Sequence, residues 1–131
     1  MAVYMWGYNN GGRLGNGYGN GIVATPIKIL DNVKSVSLGN SHSAAITKDG
    51  DLYTWGFNDC GQLGNGTTTD SYTPIKIMDN VKSVSLGSLN SAAITKDGRL
   101  YVWGNNDHGE VGNGTTTDMC VPIKIMDNVK S

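Results

Sequence analysis

The stretch Leu52–Gly66 (LYTWGFNDCGQLGNG) has two counterparts in the chain, Tyr4–Gly17 (YMWGYNNGGRLGNG) before it and Leu100–Gly114 (LYVWGNNDHGEVGNG) after it. A fixed period of about 48 residues is the mark of an array, in which each unit buries its apolar face only against a neighbour. Residues 36–83 and 84–131 are full units, identical at roughly three positions in four, and residues 1–35 supply only the later part of a unit.

Within a unit the apolar runs are short and bounded by Gly, Asn and Asp, with no helical period, so the fold class is all-β. Val36–Gly39 and Ser43–Thr47 read as two strands of small residues, joined by a turn at Asn40–His42. Lys48–Asp51 carries the Asp-Gly pair of a tight primed hairpin. Leu52–Trp55 is a third strand with bulky rings, and Gly56–Thr73 is a long Gly/Asn/Thr loop. Pro74–Ile77 is a fourth strand, and Asp79-Asn80 turns the chain into the next unit. Four antiparallel strands per unit make a propeller blade. The small strands, with Gly39 and its counterpart Gly87, suit the crowded region near a central axis. Pro and an outward Lys suit the fourth strand as the outer edge. Trp6, Trp55 and Trp103 are expected to act as wedges between blades, each burying a large apolar ring.

The balance of 10 Lys and Arg against 11 Asp and Glu, scattered singly, argues against a nucleic-acid surface. No stretch is long and apolar enough to span a bilayer, and Met1–Tyr8 has no signal-peptide pattern, so a cytoplasmic setting without membrane contact is expected. Two cysteines, Cys60 and Cys120, make no disulfide framework.

The pattern Gly-x-x-[His/Asn]-Ser-Ala-Ala-Ile-Thr-x-Asp-Gly-x-Leu-Tyr-x-Trp-Gly-x-Asn-x-x-Gly-x-[Leu/Val]-Gly-Asn-Gly, followed by Pro-Ile-Lys-Ile, resembles the regulator of chromosome condensation repeat family across essentially the whole chain. The resemblance implies a propeller of about seven blades. The chain encodes two full blades and an outer half-blade, an incomplete ring. It is therefore either a segment of a longer propeller or a protomer that completes a ring with copies of itself. Some family members are exchange factors for a small GTPase and bind chromatin, and some bacterial relatives inhibit β-lactamase. No partner-specific motif here matches either activity.

Motifs that suggest chemistry resolve into turns. Gly64–Thr69 and Gly112–Thr117 lack the Lys and the following helix of a phosphate loop. The acceptor patterns at Asn65 and Asn113 repeat because the turn repeats. His42 has no acid or nucleophile placed beside it and is expected to bond locally, as Asn90 does in the next unit. Cys60 and His108 are equivalent loop positions without the close ligand pair a metal site needs, so no metal, cofactor or enzymatic activity is expected.

Differences between the full units cluster at three places. Asn40-Ser41-His42 stands against Ser88-Leu89-Asn90; Phe57, Cys60 and Gln62 against Asn105, His108 and Glu110; Ser71-Tyr72-Thr73 against Met119-Cys120-Val121. The first copy joins with Tyr8, Gly11, Arg13 and a longer loop at Tyr18–Thr25. In an up-and-down blade the turn between strands one and two and the loop between strands three and four share one end, while the other two connections are invariant between the full units. One rim is thus diversified and the other uniform, as expected of a rigid frame presenting an asymmetric surface to another protein. Phe57, Tyr72 and Met119 are the expected apolar anchors. Self-association through open edges is the alternative, and a GTPase-regulator role follows only from the resemblance.

Overall fold

The computed structural model describes residues 2–130. Ten strands form three antiparallel sheets, with one 3-10 turn at Asn10–Gly12. β1 (Val3–Tyr8) and β2 (Ile22–Leu30) pair as a two-stranded sheet. β3 (Val33–Leu38), β4 (His42–Thr47), β5 (Leu52–Gly56) and β6 (Ser71–Met78) form a four-stranded meander. β7 (Val81–Leu86), β8 (Asn90–Thr95), β9 (Leu100–Gly104) and β10 (Met119–Met126) repeat it. The sheets are the expected two full blades and outer half-blade, and they do not close on themselves. Among the described residues no helix is long and apolar enough to cross a membrane.

Three local features differ from the sequence expectation. The first strands begin at Val33 and Val81, not Val36 and Val84. Val33 is buried and pairs with Thr47, so the chain enters the sheet directly from the Asp-Asn turn. The fourth strands begin at Ser71 and Met119, so Ser71–Thr73 and Met119–Val121 lie in strands and not in the loop. Ser71 pairs with Gly56 across a register shift, and the edge position lets Pro74 go without its N–H. The Lys48–Asp51 hairpin is not a primed two-residue turn. Gly50 N bonds Thr47 O at 2.9 Å and only Gly50 is left-handed (φ 89°), the pattern of a type I turn closed by a glycine bulge.

Two cores lie between the sheets. Val3, Met5 and Leu14 of the half-blade meet Val33, Ala45 and Trp55 of the next sheet. On the other face of that sheet, Ala44, Ile46 and Leu52 meet Val81, Ala93 and Trp103. The strand period of two sends Ala44 and Ile46 one way and Ala45 the other, so the middle sheet is buried on both faces. Trp55 and Trp103 are fully buried. The indole nitrogen of Trp55 donates to Arg13 O at 3.0 Å and that of Trp103 to Gln62 O at 2.9 Å, so each ring seats on the preceding sheet's loop. Trp6 differs from the other two. It is 59 % exposed, because no sheet stands against the outer face of β1.

Candidate partner-binding rim

Each loop after the third strand is held by one buried asparagine. Asn58 Oδ1 accepts from Leu63 N at 2.9 Å, while its Nδ2 donates to Thr67 O and Thr69 O, both at 2.9 Å. Asn106 does the same with Val111, Thr115 and Thr117, and Asn9 with Leu14, Tyr18 and Asn20. These asparagines were visible in the repeat, in the constant Gly-x-Asn of all three copies, but were not singled out. Their constancy fixes the loop path and frees neighbouring positions to vary.

The variable segments do meet at one end of the sheets. Phe57 N bonds Ser41 O at 3.0 Å and Asn105 N bonds Leu89 O at 2.9 Å, so the β3–β4 and β7–β8 turns lie beside the long loops. Arg13 Nη1 reaches Asn40 O at 3.1 Å and joins the half-blade's loop to the next sheet. At the other end the short turns also touch in sequence: Lys48 N bonds Asn32 O at 2.8 Å and Lys96 N bonds Asn80 O at 2.9 Å. Asn32, Asn80 and Asn128 all adopt φ near +60°, a conformation asparagine tolerates, which keeps this end the same from unit to unit.

Not every expected rim residue is accessible. His42, Gln62 and Ser41 are buried in this structure, unlike the other expected rim residues. Gln62 turns inward, its Oε1 accepting from Cys60 N at 2.9 Å, beneath the sheet that carries Trp103. The His42 imidazole, unlike its backbone, finds its partner outside its own blade. Its Nε2 lies 3.0 Å from Ser91 Oγ of the next sheet. Ser91 spends its hydroxyl proton on Gln62 O at 2.7 Å, so Nε2 must donate, and Nδ1 is left without a partner. Burial pushes the His42 imidazole down to about 4, opposed in part by the backbone of Asn90. Gly39 is required here by space, because a Cβ would come within 2.8 Å of the imidazole Nδ1 and 2.7 Å of Gly87 O.

Other expected residues pack at the seam between neighbouring loops. Phe57 lies against Gly11, Tyr72 against Gly12 and Gly19, and Cys120 against Gly61. Phe57, Cys60, Leu89, Asn90, Asn105 and Met119 are half-buried. Burial raises the Cys60 thiol above its ordinary value, with Asn105 Nδ2 3.6 Å away as a weaker opposing influence. His108 and Glu110 are exposed, with Glu110 Oε1 accepting from His108 N at 2.7 Å. Among the described residues no three His, Cys, Asp or Glu groups converge as metal ligands.

Three exposed tyrosines stand around the half-blade's loop. Tyr8 is 59 % exposed, Tyr18 70 % and Tyr72 44 %. The Arg13 guanidinium stands 5.3 Å from the Tyr8 ring centroid, a cation–π pair. Gly17 N bonds Tyr72 O at 2.8 Å, which ties the Tyr18 segment to the next blade. Tyr18 itself was passed over in the sequence, where it marked only the start of a longer loop.

Comparison with known proteins agrees with this architecture. A model described as "Regulator of chromosome condensation (RCC1) repeat" matches residues 2–46, 49–94 and 97–131, and a second model of that description matches 33–62 and 81–110. The first two of the longer segments each take the outer two strands of one sheet and the inner two of the next. Prp20p of Saccharomyces cerevisiae, studied for its binding to Gsp1p and histones, superposes with a TM-score of 0.86 at 29 % identity over 96 % of this chain and 34 % of its own. Yeast RCC1 (Prp20) bound to Kap60 gives 0.85 at 28 % identity over 96 % of this chain and 33 % of its own. The ultraviolet-B receptor UVR8 of Arabidopsis thaliana is 41 % identical over 55 residues, 40 % of this chain and 12 % of the receptor. The chain thus spans about a third of the length of these solved relatives.

Proposed function

The chain belongs to the regulator of chromosome condensation repeat family, and from that premise we propose that it is a non-enzymatic propeller segment whose diversified rim binds another protein. The observation that carries this reading is the asymmetry of the two ends. One end repeats the same Asp-Asn and Asp-Gly turns, while the other presents Tyr8, Arg13, Tyr18 and Tyr72 around a single loop and different residues at each later one. Tyrosine and arginine are the side chains that most often dominate protein interfaces, because they offer large contact area with few rotors and a polar tip. The Tyr8 and Tyr18 rings belong to neither core. The relatives support the same class of role, since Prp20p binds Gsp1p and histones and is bound by Kap60. The narrower role of a GTPase exchange factor rests on kinship alone, and no residue of this chain adds to it.

The test is capture on the immobilised chain, first with Gsp1p and histones and then with whole-cell extract. Retention of a protein should be lost in the Tyr8→Ser, Tyr18→Ser double variant, with little change in melting temperature. It should survive Lys48→Ala, which alters an exposed residue at the uniform end. Retention that follows Lys48, or that the double variant leaves intact, contradicts the reading.

A further inference from the structure

We propose that the uniform end of the sheets binds a linear chain of phosphates, along an arc of lysines where the first strands begin. This concerns the end opposite the rim and does not depend on partner recognition there. The near balance of charge over the whole chain hides a separation between its two ends. Every lysine stands in or near a short turn of the uniform end. The long loops of the diversified end hold no lysine and carry Asp59, Asp70, Asp107, Glu110 and Asp118.

The lysines fall into two sets. The outer set, near the ends of the fourth strands, is neutralised. Lys28 pairs with Asp31 at 3.3 Å, Lys76 with Asp51 at 3.5 Å and Lys124 with Asp127 at 3.3 Å. The inner set flanks the first hairpin of each blade. Lys34 follows Val33 at the start of β3, Lys48 follows Thr47 at the end of β4, and Val33 and Thr47 are register partners. Val81 and Thr95 place Lys82 and Lys96 in the same way. All four are exposed, and among the described residues none forms an ion pair with a carboxylate.

Lys82 and Lys96 show that this is no want of neighbours. The preceding hairpin is in place, with Val81 N bonding Gly50 O, and so is the following entry, with Val129 N bonding Gly98 O. Lys96 reaches back over the preceding hairpin, where a Cβ on Gly50 would stand 2.9 Å from its Nζ. Lys82 reaches forward, its Nζ donating to Lys130 O at 3.3 Å. The ammonium groups thus follow one another from blade to blade. Of the nearby acids, Asp49 accepts from Asn32 Nδ2 at 3.2 Å, Asp97 is held by Thr95 and Arg99, and Asp79, exposed in the turn before β7, pairs with none of them. A file of like charges without counter-ions attracts an anion.

The shape of the file selects the ligand. The outer part of this end is neutralised, so the unpaired charge is a narrow arc, which suits a linear polyanion better than the broad plane of a bilayer. Lysine offers point charges, unlike the planar fork of arginine, and takes phosphate oxygens in many orientations. The backbone donors nearby are already spent: Lys48 N on Asn32 O, Lys96 N on Asn80 O and Val81 N on Gly50 O. None of the exposed rings lies on β3 or β7, so bases would find no platform for stacking. What is left is attraction to phosphate charge spaced along a chain.

The probe is inorganic polyphosphate, titrated against the full chain by calorimetry at low and at moderate salt. Binding should be present and should weaken with salt. The Lys34→Gln, Lys82→Gln, Lys96→Gln triple variant should lose about tenfold in affinity and lower the slope of log affinity against log salt by about two. The Lys28→Gln, Lys76→Gln, Lys124→Gln triple variant removes the same charge from the outer set and should lose only about twofold. All six positions are exposed, so both variants should keep the near-ultraviolet circular dichroism of Trp55 and Trp103. If either fails to fold, the wild type still decides. Acetylation read by mass spectrometry should show polyphosphate protecting Lys34, Lys48, Lys82 and Lys96, with Lys28, Lys76 and Lys124 unchanged. Absence of binding at low salt, equal losses in the two variants, or uniform protection of all lysines overturns the proposal. So does tighter binding to phosphatidylserine vesicles at equal phosphate concentration, which would assign this end to a membrane surface.

Discussion

His42 and Asn90 occupy the same position of successive units, yet only the histidine can titrate, and it does so inside a seam between sheets. Its folded pKa lies near 4, held down by burial, while an unfolded histidine titrates near 6.5. Above pH 6.5 both states are neutral and the stability is whole. As pH falls from 6.5 toward 4 the unfolded chain takes up a proton that the folded chain refuses, so stability is lost across that window. Urea unfolding should show a loss of about 2 kcal/mol between pH 7 and pH 5. His42→Asn, which installs the counterpart residue, should flatten that dependence. Equal wild-type stability at the two pH values would contradict the account. Residue-scale burial also separates Gln62 from its counterparts in the other units. Arg13, Gln62 and Glu110 look like a surface series of changing charge, but Gln62 lies under the following sheet and Glu110 has no sheet above it. The type of side chain does not disclose what covers it.

At the scale of elements, the tryptophans provide a matched comparison, because three identical residues sit at one position of the unit in different company. Trp103→Ala should cost about 3–5 kcal/mol, from lost transfer energy and the cavity left in a packed seam. Trp6→Ala, measured by urea unfolding at low protein concentration, should cost less than about 1 kcal/mol, since its ring already faces water. Equal losses would mean that β1 is covered in the single chain. Much of this level was legible beforehand. The alternation of Ser43–Thr47, the bulky third strand and the Asp-Gly turn placed the strands and their order. The start of the fourth strand was not legible, because Ser71-Tyr72-Thr73 continues the polar character of the Thr-rich loop. Only pairing of Ser71 with Gly56 brings it into the sheet. Likewise, the hairpin's Asp-Gly pair was right about location and wrong about turn type, since bulged and primed turns both want glycine at a left-handed site.

For the whole molecule, the repeat makes the frame and the deviations from the repeat make the surface. Asn9, Asn58 and Asn106 hold three loops on one path, so substitutions around them change chemistry without changing shape. The period predicted that one rim would vary, but it could not separate exposed Tyr8 and Tyr18 from Phe57 and Tyr72, which also pack on glycines of the neighbouring loop. That distinction depends on how blades approach one another, and no single unit encodes it. On this reading, partner recognition resides at the diversified end. Amide hydrogen exchange of the chain, free and saturated with a protein it retains, tests this most directly. We predict added protection in residues 9–21, 39–41 and 57–70, with the turns at 48–50, 79–80 and 96–98 unchanged. Protection confined to those short turns, or none at either end, would contradict it.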